Sequence, residues 1–169
     1  MIITSFNPNG PLTLSRIALI TPLRDEEAFV EAMICSIAGQ QIRPVKWIIV
    51  DDGSTDKTPV IVREYCRQFE FIELLNLPAR VERKPGGEGA IASALSKLDL
   101  SQFDYLARFD ADLLFEDDYF ARLLDEFHRD AKLGIAGGGL YIDKNGQLVL
   151  ERAPEYHVRG ALKMYRREC

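Results

Sequence analysis

Two short apolar runs in this chain each stop on a pair of carboxylates: Val45 to Val50 ends in Asp51-Asp52, and Tyr105 to Phe109 ends in Asp110-Ala111-Asp112. A helical pattern follows each. Runs of that length bounded by turn chemistry read as buried strands, and buried strands alternating with helices form a largely parallel sheet through right-handed crossovers. The fold class is therefore α/β: a mostly parallel sheet flanked by helices. The C-terminal ends of its strands share one edge, where open α/β sheets bind ligands. Four carboxylates at that edge repel one another, by about 4 kcal/mol for each pair roughly 4 Å apart at an effective dielectric of about 20. A divalent cation or a donor-rich ligand is the expected compensation, which points to a phosphorylated molecule held through a metal.

The rest of the chain repeats this plan. Ile17 to Ile20 reads as a first strand stopped by Thr21-Pro22, and Asp25 is a candidate cap for a helix carrying Phe29, Val30, Met33 and Ile37 that Gly39 closes. After Asp51-Asp52, the residues Ser54, Thr55 and Asp56 are cap candidates for a helix that tolerates Pro59 in its first turn and buries Val62, Cys66 and Phe69. Phe71 to Leu77 is a third strand, and a short helix is expected between the glycine-rich Gly86-Gly87-Glu88-Gly89 and Leu98. Asp117 or Asp118 caps a helix with Phe120, Leu123, Leu124 and Phe127 inside, and Leu133 to Ile142 is expected as a glycine-interrupted strand. Asn145-Gly146 then signals a C-terminal β-hairpin into Gln147 to Leu150.

A length of 169 residues suits one domain with a real core. The formal net charge is -5 and the basic residues are scattered, which argues against a nucleic-acid partner. Three cysteines without CxxC spacing suggest neither a disulfide framework nor a zinc site. No stretch approaches the roughly 18 apolar residues of a membrane span, and no signal peptide is expected. The expected location is the cytoplasm, with the inner face of the membrane as the alternative.

Plainer readings compete for the same residues. Asp51 to Asp56 is good turn and N-cap chemistry in its own right, and a receiver-type acidic pocket would want a later lysine and hydroxyl that the pattern does not place. Asp110-Ala111-Asp112 lies mid-chain before Leu113, unlike a haloacid-dehalogenase-type phosphatase motif on an opening strand; an acidic solvated loop through Asp118 is the bland alternative. Gly87-Glu88-Gly89-Ala90-Ile91-Ala92 fits the dinucleotide fingerprint, but the charged stretch Arg80 to Pro85 separates it from the preceding strand, where the fingerprint requires a direct turn. Glycine amides beside Lys84 can still approach a phosphate. His128 suits a helix C-terminus, and His157 has no obvious partner. Gly137-Gly138-Gly139 reads as close approach of a ligand or another backbone, one wall of a pocket.

Taken together, Thr21-Pro22 with Asp25-Glu26-Glu27, Val50 through Asp56, Gly86-Gly87 before a small-residue helix, and Phe109-Asp110-Ala111-Asp112 resemble the glycosyltransferase family 2 enzymes, which have the GT-A fold. The resemblance covers about Ile17 to Arg167. It implies transfer of a sugar from a nucleoside diphosphate donor, a UDP-sugar favoured, to a glycan or lipid-linked acceptor, usually with inversion and with Mg²⁺ or Mn²⁺. By motif position, Thr21, Pro22 and Glu26 would border the nucleoside and Asp52 would accept a hydrogen bond from the base. Asp110 would approach the ribose or the metal, Ala111 would belong to the nucleotide-sugar-binding set, Asp112 with Asp110 would hold the metal, and Lys84 and Gly87 would lie along the diphosphate.

The chain departs from the family pattern in two places. Ala92 and Ser93 stand where many members carry arginine and asparagine, leaving Arg83 or Lys84 to grip the diphosphate. The family's catalytic base lies on an acidic motif past a strand that Tyr156 to Cys169 resembles, so the catalytic residue is unassigned, with Glu151 and Glu155 as poor local alternatives. Residues 1–169 are accordingly expected to form one GT-A-type domain truncated on its acceptor side. Two other classes compete: a catalytically silent nucleotide-sugar-binding module, and a nucleotidyltransferase, whose glycine-rich signature Thr21-Pro22-Leu23-Arg24 does not supply.

Overall fold

A computed structural model describes residues 15–78, 87–152, 154 and 157–169. The expectations for Arg83, Lys84, Gly86 and Glu155 lie outside the described residues. The elements run β1 (Ile17–Leu23), α1 (Val30–Ala38), β2 (Lys46–Asp51), α2 (Thr58–Gln68), β3 (Ile72–Asn76), α3 (Glu88–Leu95), β4 (Tyr105–Phe109), α4 (Tyr119–Arg129), β5 (Ile135–Ala136), β6 (Tyr141–Lys144), β7 (Gln147–Leu150) and β8 (Leu162–Arg166).

Six of these strands form one sheet in the order β3-β2-β1-β4-β8-β5. The first four in that order are parallel, whereas β8 runs antiparallel between β4 and β5. Strand order thus reverses between β1 and β4, because the chain winds outward from β1 through β2 to β3 and then returns to the other side of β1. That reversal is where an α/β sheet opens a crevice.

Period-two alternation sorts the strand residues onto two faces. Ile17, Leu19 and Leu23 of β1, Trp47 and Ile49 of β2, and Tyr105, Ala107 and Phe109 of β4 join Met33, Ile37, Val62, Phe120 and Phe127 in the main core, so α1, α2 and α4 cover one face. On the other, Ile20, Ile48 and Val50 pack with Ala90 and Ala94 of α3. The small residues of α3 let its backbone lie close over β1 and β2.

Several expectations change in detail. Strand β1 continues through Thr21 and Pro22 to Leu23 instead of stopping there, because β2 pairs with it as far as Leu23 while β4 pairs with it only from Ile17 to Ile20. Beyond Ile20 that side of β1 is a free edge, which tolerates a proline without an N–H. The expected strand from Leu133 to Ile142 is split into β5 and β6. Its glycines serve close packing: a Cβ on Gly137 would lie 2.4 Å from the Leu162 carbonyl oxygen, and one on Gly138 would lie 2.6 Å from the Tyr119 ring. The Gly138 amide donates to the Tyr119 hydroxyl at 3.0 Å. The hairpin is present as expected, with β6 and β7 in a separate antiparallel sheet, and Asn145 and Gly146 both adopt positive φ at its turn, 57° and 82°.

Candidate functional site

The C-terminal ends of β1, β2 and β4 deliver the predicted residues to one edge of the sheet. In the register of the parallel pairs, Leu23 lies beside Asp51, and the Asp52 amide donates to the Leu23 carbonyl at 2.9 Å. Asp51 is buried, and its Oδ1 accepts from the Ser54 amide at 3.0 Å, closing a turn in which Gly53 adopts φ 77°. The expected crowd of four carboxylates is therefore not formed. Asp51 is a turn-builder, while Asp52, half-buried, is left at the edge.

The β1–α1 loop and the β2–α2 loop are laced together. Asp25, at φ 57°, does not cap α1; its Oδ1 accepts from the Thr55 amide at 2.6 Å and the Thr55 hydroxyl at 3.1 Å, and its own amide donates to Ser54 Oγ at 2.9 Å. In return, the Glu26 amide donates to Thr58 Oγ1 at 2.8 Å and the Lys57 amide to Glu27 Oε2 at 2.9 Å. Glu26 is thereby held beside the start of α2. The Thr55 amide keeps the Asp25 carboxyl below the usual carboxylate range. A depressed folded pKa contributes stability that is complete above the unfolded value near 3.8 and is lost as pH falls through the folded one. Urea midpoints measured from about pH 6 down to about pH 2.5 should therefore fall less steeply for Asp25→Asn than for the parent.

Thr21 and Ala111 are both buried with their side chains in the core. Thr21 Oγ1 accepts from Trp47 Nε1 at 3.0 Å, so only the backbone of these two residues can meet a ligand. Pro22, on the opposite face, is half-buried, and Gly87 packs on it: a Cβ at Gly87, where φ is 66°, would lie 3.1 Å from Pro22 Cβ. The start of α3 is thus pressed against the end of β1.

Asp110 follows β4 directly, and its amide donates to the Ala161 carbonyl at 2.9 Å. Its Oδ1 meets Arg108 Nη2 at 2.8 Å. Burial raises the Asp110 carboxyl above its ordinary value and Asp112 adds to the rise, while Arg108 pulls it down. Asp112 is exposed. The loop that carries both is pinned from below by the buried Gln40, whose Nε2 donates to the Glu116 carbonyl at 2.6 Å and whose Oε1 accepts from the Phe120 amide at 3.2 Å. The Gln41 amide adds a bond to the Asp117 carbonyl at 2.8 Å.

This order of elements and motifs identifies the chain's relatives. A family model described as glycosyl transferase family 2 matches residues 18–167. The chain belongs to glycosyl transferase family 2. Among curated members it is 28% identical over 121 residues to the beta-monoglucosyldiacylglycerol synthase of Nostoc sp., covering 70% of this chain and 25% of that protein. Among solved structures it resembles the mannosyltransferase PcManGT from Pyrobaculum calidifontis in complex with GDP-Man and Mn²⁺, with TM-score 0.68, 20% identity, and coverage of 90% of this chain and 45% of that one. S. aureus TarS 1–349 in complex with UDP-GlcNAc matches with TM-score 0.65 at 17% identity, again over 90% of this chain and 45% of the other. The chain thus spans a quarter of that curated relative and under half of either solved protein. At these identities the structures establish a shared GT-A fold.

For a family 2 member, the donor set at the end of β4 suits a hard divalent cation. Asp110 and Asp112 offer carboxylate oxygens, and a cation would relieve the repulsion that helps raise the Asp110 carboxyl. Among the described residues no three Asp, Glu, His or Cys side chains come together as a closed cage, so remaining ligands would come from water or a bound diphosphate, as Mg²⁺ and Mn²⁺ sites commonly have it. Two residues of this site escaped the sequence reading: Gln40 and Arg108. Arg108 could have been found, because a guanidinium within the apolar run from Tyr105 to Phe109, two residues before Asp110, must share that carboxylate's face. Gln40 carries no local signal at all.

Proposed function

We propose that this chain binds a nucleoside diphosphate sugar, with uridine favoured, and forms the donor-binding part of an inverting, metal-assisted transfer to a glycan or lipid-linked acceptor. The observation that carries the reading is the convergence of Pro22, Asp52, Asp110 and Asp112 on the sheet edge at the β1–β4 reversal. The complexes of PcManGT with GDP-Man and Mn²⁺ and of TarS with UDP-GlcNAc support a nucleotide-sugar donor on this fold.

In this reading the backbone of Thr21, with Pro22 and Glu26, borders the nucleoside. Asp52, an acceptor-only carboxylate, takes the ring N–H of a uracil imide. Asp110 and Ala111 lie along the ribose, Asp110 and Asp112 hold Mg²⁺ or Mn²⁺, and Gly87 with Lys84 lines the diphosphate. A bound divalent cation would neutralise charge that builds on the departing diphosphate. The acceptor hydroxyl oxygen bonds to the anomeric carbon as the bond to the diphosphate oxygen breaks, and the hydroxyl proton leaves to a base that no described residue is assigned. No described helix is long and apolar enough to cross a membrane.

Calorimetric titration of UDP with Mg²⁺, with Mn²⁺ and with EDTA tests the proposal. Binding is expected only with a cation. Equal affinity in EDTA would remove the metal from the reading, tighter binding of GDP would overturn the uridine preference, and binding of NAD in place of UDP would favour the dinucleotide alternative. Donor binding without transfer to any glycan or lipid acceptor, from a chain extended to the length of its relatives, would establish the silent module.

A further inference from the structure

Arg108 lies outside the motif that marks the site, yet it occupies the floor beneath it. Its Nη2 sits 2.8 Å from Asp110 Oδ1, and its Nη1 donates to the Gly160 carbonyl just before β8. Its side chain is 20% exposed, so the pair is partly shielded from water. In the antiparallel register Lys163 of β8 stands directly opposite Arg108, which puts both cations on the same face of the sheet. This is the face that α3 covers over β1 and β2.

We infer that Arg108 occupies the first metal-site carboxylate in the donor-free protein, so that a divalent cation loads well only together with a diphosphate. The inference rests on the metal reading proposed above. A cation approaching Asp110 meets a guanidinium that already shares the carboxylate, and two positive groups a few ångströms apart repel where solvent screens them poorly. A diphosphate changes the sign of that balance. It supplies anionic oxygens to both positive groups, and an arginine fork suits phosphate oxygens. Arg108 thereby makes cation and nucleotide binding mutually favourable, and the coupling is reciprocal by thermodynamic necessity.

Mn²⁺ affinity measured by the paramagnetic resonance signal of the free ion, without any turnover assay, tests this. In the parent chain, saturating UDP is expected to raise Mn²⁺ affinity by well over about tenfold. In Arg108→Gln, Mn²⁺ alone should bind about tenfold tighter than in the parent and the enhancement by UDP should shrink. Arg108→Lys keeps the charge and should retain the parent's weak affinity for free Mn²⁺. Unchanged or weaker Mn²⁺ binding by a folded Arg108→Gln chain overturns the inference while leaving the metal site standing. Independent binding of Mn²⁺ and UDP in the parent overturns it without any variant. Absence of Mn²⁺ binding even with UDP removes the metal reading, and this inference with it.

Discussion

Asp112→Asn is expected to lower metal-dependent UDP affinity by on the order of 100-fold or more, because even the loss of an outer-shell partner can cost up to about 100-fold in metal affinity. Its exposure at the end of β4 leaves the carboxylate no structural duty, so the fold should survive the change. Asp52→Asn should fail differently. An amide in place of an acceptor-only carboxylate can turn a donor toward the ring N–H, weakening recognition of the base itself. Uridine, which has the base and no phosphate, separates the two: its affinity should be unchanged in Asp112→Asn and reduced in Asp52→Asn. Equal damage to uridine binding by both substitutions would refute the division of roles.

Phe109→Ala is expected to destabilise the chain by about 4 kcal/mol, within the range for truncating a fully buried phenylalanine. Phe109 is inaccessible to solvent and packs against three rings, with centroids 4.8 Å away in Phe115, 5.7 Å in Tyr119 and 5.5 Å in Phe120. These rings lie under the loop that carries Asp110 and Asp112, so the lost packing also frees that loop. Urea unfolding reads the stability, and Phe109→Leu, which keeps most of the volume, should lose clearly less. A loss below about 1 kcal/mol for alanine would mean that the loop is held chiefly by Gln40 and not by the aromatic cluster.

The parallel half of the molecule was legible in the sequence because each of its strands and helices carries its own local pattern. The runs at Ile17, Val45, Phe71 and Tyr105, and the helices after them, fall close to their expected places. Their acidic ends reach one edge because parallel pairing brings like ends together. What could not be read was non-local. Nothing in Leu162 to Arg166 says that this strand enters the sheet between β4 and β5, and Gly137 and Gly138 resemble a ligand wall until Leu162 and Tyr119 are seen against them. Asp25 and Asp51 misled for a related reason. Both have good cap and ligand chemistry, but tertiary hydrogen bonds to Thr55 and a turn bond to Ser54 claimed them first.

In the proposed reading, where the first two loops border the nucleoside, the lacing between them limits how this protein could acquire a different donor. Asp25 is bound by Ser54 and Thr55, Glu26 by Thr58, and Glu27 by Asp56 and Lys57. A loop transplanted from a relative with another base preference would arrive without its counterpart and leave amides on both sides unanswered. Segments 24–29 and 52–58 therefore form one unit of inheritance, and a change of nucleotide would require them to be exchanged together.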